Sequence, residues 1–200
     1  MGNLRSVQKA FEKVGCDAII SNNIDEIKNA DKIVLPGVGA FRDGMNHLKE
    51  LNLIELLNDE VIKNKKPFLG ICLGMQLIAT KSFENGEIDG LGWIDAEVIK
   101  FNFEKYNKKL KIPHVGWNNV SYKNKNVLYF KIEDNNDFYF VHSYHFTTNE
   151  DVVTSNTDYG FDFVSSINKD NIYAFQFHPE KSQSAGLKII ENFVNLESKC

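Results

Sequence analysis

The stretch Pro67 to Thr80, Pro-Phe-Leu-Gly-Ile-Cys-Leu-Gly-Met-Gln-Leu-Ile-Ala-Thr, sets what this chain can fold into. Phe68 to Ile71 are apolar or small and run into Cys72, after which Leu73, Gln76, Leu77 and Thr80 recur at helical spacing. A strand is therefore expected to turn directly into a helix, with Cys72 on the turn between Gly70 and Gly74. Such a turn brings flanking backbone so close that only glycine leaves room, and it holds the reactive atom proud of the sheet. The helix that follows aims its free N–H groups and positive end at the sulfur, a setting suited to a nucleophile. A lone cysteine at a strand end is more simply a small buried apolar residue. The paired glycines favour the nucleophile.

The first eighty residues alternate strand and helix. Asn3 can cap a helix whose apolar residues Leu4, Val7, Phe11 and Val14 share one face, with Gly15 as its stop. Ala18 to Ser21 reads as a short strand, Asp25 to Asn29 as a brief helix, and Lys32 to Leu35 as a strand ending at Pro36-Gly37-Val38-Gly39. Phe41 to Leu51 and Leu53 to Lys63 carry helical periodicity. This alternation calls for a parallel sheet covered by helices.

After Phe83 the character changes, with Asn85-Gly86 and Asp89-Gly90 marking turns before a strand at about Trp93 to Lys100. Lys109 to Val115, Val127 to Phe130, Phe138 to Tyr144, Val152 to Asn156, Phe163 to Asn168 and Ile172 to Phe177 all read as strands. Ser184 to Leu196 closes as an amphipathic helix, and the Asn/Lys-rich piece from Asn102 to Lys109 reads as a surface loop. No repeat or linker stands out, so 200 residues with 42% apolar content are expected to make one domain with a full core.

A net charge of −4 gives no basic footprint for nucleic acid, and no stretch approaches the length that spans a membrane. The start, Met-Gly-Asn-Leu-Arg, lacks the apolar core of a signal peptide, so a cytoplasmic protein is expected. Cys16, Cys72 and Cys200 are odd in number and far apart, which suggests neither a disulfide framework nor a zinc site. No cofactor is expected.

A nucleophile needs a base, and Gln176-Phe177-His178-Pro179-Glu180 offers one at the end of an apolar strand. Pro179 biases His178 toward an extended conformation, which sets His178 and Glu180 on one side of the chain, where a carboxylate can steer the imidazole. The three roles of a triad are then filled: Cys72 attacks, His178 moves the proton and Glu180 orients it. By itself His-Pro-Glu is a surface turn; beside a cysteine elbow it gains meaning. Pro36-Gly37-Val38-Gly39, again at a strand end, has glycines that let consecutive N–H groups converge on an anion, a companion to the Leu73 N–H at an oxyanion, although by itself it reads as an ordinary strand-to-helix turn. Of the other histidines, His47 is expected to face solvent on a helix and His114 to lie in a loop. His142 and His145 have metal-like spacing, but i and i+3 face opposite ways on one strand, so no metal site is expected.

With these residues assembled, the chain resembles the class I glutamine amidotransferases, and more closely the glutaminase subunits of imidazole glycerol phosphate synthases. The resemblance runs through Met1-Gly2-Asn3-Leu4, Leu35 to Phe41, Gly70 to Gln76, Gly90-Leu91-Gly92-Trp93, Pro113 to Asn118, Val141 to Tyr144 and Gln176 to Ser182. It implies a flavodoxin-like open, mostly parallel central sheet flanked by helices, with additional antiparallel strands. It implies that Cys72 attacks the side-chain amide of L-glutamine, that His178 protonates the departing ammonia and that water hydrolyses the thioester. Val38 and Leu73 match the oxyanion donors, and Gly37, Gly39, Gln76, Ser143 and Tyr144 match positions in or beside the glutamine site. The implied partner is a (β/α)8 cyclase subunit forming a heterodimer and receiving the ammonia. The implied gate is a rearrangement of the Gly37-Val38 peptide when that partner binds its own substrate.

Members of this family begin with an apolar strand ahead of Met-Gly-Asn, so the resemblance implies a sheet whose first strand is missing from this chain. Glu87-Ile88-Asp89-Gly90 and Thr157-Asp158-Tyr159-Gly160 also resemble a paralogous branch that supplies ammonia to enzymes modifying bacterial surface sugars. That branch keeps the glutaminase chemistry and changes the acceptor.

Overall fold

The computed structural model describes residues 4–124 and 126–196. The chain opens with α1 (Leu4–Lys13) and α2 (Ile24–Asn29), followed by β1 (Ile33–Gly37) and α3 (Phe41–Glu50). Next come α4 (Leu53–Leu57), prolonged by a π-helical turn over Asn58–Lys63, then β2 (Phe68–Cys72) and α5 (Leu73–Leu77). The second half is strand-rich: β3 (Ala79–Ser82), β4 (Ile88–Asp89), β5 (Ile94–Lys100), β6 (His114–Tyr122), β7 (Asn136–His142), β8 (Tyr144–Thr148), β9 (Val153–Asp158), β10 (Asp162–Lys169) and β11 (Ile172–Phe175). Helix α6 (Gln183–Val194) closes it.

Seven strands form one sheet in the order β1-β2-β11-β10-β9-β6-β7, and four form a second in the order β4-β3-β5-β8. The parallel part is β1-β2-β11, with β2 in the middle. The remaining pairs of the larger sheet are antiparallel, as expected where strands follow one another without intervening helices. Every residue of β2 is buried, the mark of a strand covered on both faces. Its side chains alternate accordingly: Phe68 enters one apolar cluster with Trp93 and Ile94, while Leu69 and Ile71 enter a second with Phe177 and Phe193. Cys72 is thus delivered from the most deeply held strand of the molecule.

Several sequence expectations are corrected. Ala18 to Ser21 is not a strand: Ile19 and Ile20 are exposed, and no described strand pairs with the segment, since extended chain becomes a strand only when a ladder forms beside it. Lys109 to Val115 is mostly loop, with β6 beginning only at His114, and Val127–Tyr129 is a 3-10 turn capped by Asn126. The helix after Cys72 ends at Leu77, so Thr80 lies in β3. Phe138 to Tyr144 divides at Ser143, where the chain leaves the larger sheet for the smaller. The Asn3 cap and Cys200 lie outside the described residues.

Candidate active site

The turn at Cys72 is sharp, and the reason is steric. Cys72 has φ 54° and ψ −105°, a conformation that L residues avoid and that only surrounding structure can impose. A Cβ on Gly70 would lie 2.9 Å from the Gly74 carbonyl oxygen, and a Cβ on Gly74 only 1.7 Å from the Leu35 carbonyl oxygen. Both positions therefore demand glycine, as the Gly-x-Cys-x-Gly pattern predicts. Register in the β1–β2 pair sets Gly37 directly opposite Cys72. The Leu73 N–H, at the first position of α5, has no intrahelical acceptor.

His178 follows β11 in an extended conformation, its N–H donating to the Tyr139 carbonyl at 2.9 Å. The extended i, i+2 geometry expected for His178 and Glu180 is not what joins them: Glu180 sits in the 3-10 turn Pro179–Lys181, so the chain bends back and the carboxylate meets the ring, with His178 Nδ1 2.8 Å from Glu180 Oε1. Both side chains are essentially buried, at 1% and 0% exposure, so this contact is shielded from water. Ser182 braces the same turn, its hydroxyl donating to the His178 carbonyl at 2.6 Å while accepting from the Tyr139 N–H at 3.0 Å. With Nδ1 committed to Glu180, Nε2 is the working atom, and no group among the described residues forms a well-aligned hydrogen bond with it. Burial pulls the pKa of His178 down, but the nearby Cys72 sulfur and the Glu180 carboxylate bonded to Nδ1 push it up to about 9. Sulfur, imidazole and carboxylate thus act on one another in one buried place.

A cavity of about 440 Å³ opens beside the sulfur, lined by Val38, Gly39, Cys72, Leu73, Gln76 and Tyr144 among others. Gly39 has φ 105° and nothing within 4 Å of where a Cβ would stand, so its backbone is bare toward the opening. Gln76 uses its amide nitrogen twice, donating to the Tyr144 carbonyl and to Gln176 Oε1, each at 3.0 Å. Gln176 in turn donates from Nε2 to Cys72 Sγ at 3.7 Å. Ser143 also lines the cavity. Gly37 does not: its Cβ position is filled by Leu73 at 3.0 Å, so it shapes the wall from behind.

Sequence reasoning missed several residues here. Glu84 and Lys181 place opposite charges on the cavity lining, and Glu84 Oε2 accepts the Phe41 N–H at 2.7 Å. Gln176 was legible only as part of a motif, without its contact to the sulfur. His114 is buried at the start of β6 rather than in a loop, and His142 and His145 belong to two different strands. Both rings nonetheless pack on Phe101, with centroids 5.2 and 4.9 Å away, because the chain turns a corner between them. Among the described residues no group of three His, Cys, Asp or Glu side chains is arranged to hold a metal. His47 is exposed on α3.

A cysteine on a strained strand-to-helix turn, a histidine braced by a buried carboxylate and an adjoining cavity with bare backbone make an arrangement suited to acyl transfer through a thioester. The chain belongs to the class-I glutamine amidotransferases, whose family model matches residues 1–196. It is 50% identical over 195 residues to imidazole glycerol phosphate synthase subunit HisH 1 of Campylobacter jejuni (strain RM1221), covering 98% of this chain and 96% of that protein. It is likewise 50% identical to subunit HisH of Aquifex aeolicus (strain VF5), covering 96% and 91%. Among solved structures, a crystal structure of a glutamine amidotransferase aligns with TM-score 0.73 at 17% identity, covering 96% of this chain and 95% of that one. The glutaminase domain of Trypanosoma brucei CTPS with bound acivicin aligns with TM-score 0.63 at 17% identity, covering 98% and 90%.

Proposed function

We propose that this chain is the glutaminase subunit of an imidazole glycerol phosphate synthase, hydrolysing L-glutamine to glutamate and ammonia and passing the ammonia to a (β/α)8 cyclase subunit in the cytoplasm. The observation that carries this reading is near-complete coverage, at 50% identity, of relatives bearing that name. The buried contact of His178 with Glu180 beside Cys72 supplies the chemistry.

Glutamine enters the cavity with its side-chain amide toward Cys72. The sulfur attacks the amide carbon, and the oxyanion that develops is met by the Leu73 N–H and by the N–H of Val38, a cavity-lining residue one position past the Gly37–Cys72 pair. His178, holding a proton on Nε2, gives it to the departing nitrogen, so ammonia leaves and a γ-glutamyl thioester remains. A water molecule then loses a proton to Nε2 as it attacks the thioester, and glutamate leaves with the sulfur restored. Glu180 holds the ring through Nδ1 during both transfers. Glu84 faces the α-ammonium of the substrate, Lys181 its α-carboxylate, and Gly39, Gln76, Ser143 and Tyr144 complete the wall. Ammonia in bulk water at neutral pH is mostly ammonium, a poor nucleophile. A cyclase seated over the cavity mouth keeps it neutral.

Complementation of a histidine auxotroph lacking this subunit tests the assignment. Growth on glutamine as nitrogen donor is expected. Active glutaminase that fails to restore growth would redirect the ammonia to another acceptor.

A further inference from the structure

Two of the three buried histidines outside the triad, His114 and His142, belong to a chain of hydrogen bonds ending at the sulfur. His142 Nδ1 lies 2.8 Å from the Tyr144 carbonyl oxygen, which can only accept, so that nitrogen carries the hydrogen. Its Nε2 lies 3.1 Å from His114 Nδ1. The neutral ring makes His142 Nε2 the acceptor and His114 Nδ1 the donor. His114 Nε2 is then left to accept from Asn118 Nδ2 at 3.3 Å, while the same amide nitrogen donates to the Asp158 carbonyl at 2.9 Å. Every donor finds one acceptor, and a single pair of tautomers satisfies the chain. Burial holds both rings neutral, lowering His114 to a pKa of about 4 and His142 to about 3.

On the far side the Tyr144 carbonyl receives the Gln76 amide, which also binds Gln176, which donates to Cys72. His142, Tyr144 and Gln76 all line the cavity. The bond from His142 to Tyr144 spans Ser143, the corner where the chain passes from one sheet to the other; the end of β5 holds one side of it, Phe101 N–H donating to the Ser143 carbonyl at 3.2 Å, and His142 holds the Tyr144 carbonyl on the cavity side.

We propose, resting on the glutaminase reading, that His142 is a positioning residue for glutamine: backed by His114 and Asn118, it fixes the Tyr144 peptide and so sets the Gln76–Gln176 amides that shape the substrate cavity. His142 donates to the wall of the site and takes no part in proton transfer. Its influence falls on how well glutamine is held.

His114→Phe separates this from simple packing. The phenyl ring can keep the stacking on Tyr159 and Phe140, whose centroids lie 3.9 and 5.0 Å from the His114 ring, while removing the donor to His142. In the complex with the cyclase subunit, KM for glutamine is expected to rise about tenfold with kcat within about twofold, because one buried neutral hydrogen bond is lost outside the reacting atoms. His114→Gln, which retains a donor, is expected to recover most of the loss. An unchanged KM in His114→Phe, or equal losses in both variants, would overturn the proposal, whereas a wild-type complex without glutaminase activity would count against the functional reading instead. Nitrogen-15 NMR of the histidine-labelled wild-type chain is a second test that needs no variant to fold. His142 and His114 are both expected as neutral Nδ1–H tautomers at pH 7, and a hydrogen on His142 Nε2 would overturn the proposal.

Discussion

Gly74 stands so close to Leu35 that a Cβ added to it would lie 1.7 Å from the Leu35 carbonyl oxygen. The elbow that presents Cys72 is therefore wedged against β1, and the glycine is a requirement of the fold before it is one of the chemistry. Gly74→Ala is expected to cost more than about 3 kcal/mol, because backbone on both sides must move. Gly92→Ala, at φ 67° but with nothing within 4 Å of the new Cβ, should cost about 1 kcal/mol. Urea denaturation of the two variants against the parent checks the difference, and similar losses would mean the elbow has slack.

Cys72 itself stores strain, with φ at 54° in a region that suits glycine. Cys72→Gly should be more stable than Cys72→Ala by about 1 kcal/mol, reversing the usual order of these two residues. Neither should release ammonia from glutamine. Thermal unfolding and an ammonia assay read both halves of this prediction.

The elbow and the His-Pro-Glu turn were legible in the sequence because each depends on local sterics: glycines where backbones touch, and a proline that fixes the residue before it. Glu84, Lys181 and Gln176 were not, because ordinary residue types acquire a role only when β3, β11 and the turn after it converge on one cavity. Thr80 misled because a short buried helix and a short buried strand share the same apolar pattern, and nothing local ends α5 at Leu77. Ala18 to Ser21 misled because a strand is a property of two segments, and its neighbour cannot be read from its own residues. The corner at Ser143 went unseen for a related reason: Val141-His142-Ser143-Tyr144 carries a strand-like pattern from end to end, and nothing local marks the bend at which the pairing partners switch.

Stability should peak near pH 6.5 as far as the histidines decide it. Burial lowers His114 and His145 to about 4 and His142 to about 3, so between pH 4 and 6.5 the unfolded chain binds more protons and stability falls as pH falls. Each such proton contributes a slope of ~1.4 kcal/mol per pH unit. His178 works in the opposite window: raised to about 9 in the fold, it contributes stability that is complete below about 6.5 and lost as pH climbs toward 9. Chemical denaturation from pH 4.5 to 9 should trace this dome. A flat acid limb would show that the three rings are not held neutral.

Glu180→Gln keeps an acceptor for His178 Nδ1 and removes the charge that helps hold the imidazolium. The alkaline fall of kcat, expected near pH 9 in the parent, should move toward lower pH, and activity should drop less than in Cys72→Ala. A pH profile of the variant complex measures both, and an unmoved alkaline limb would assign the raised pKa to the sulfur alone.

The most direct test asks whether the Cys72 sulfur carries the acyl group. Rapid acid quenching of the complex during glutamine turnover, followed by peptide mass spectrometry, should find one γ-glutamyl group on the peptide containing Cys72 and none elsewhere. A complex that turns over with no adduct there, or with the acyl group on another residue, would contradict the account.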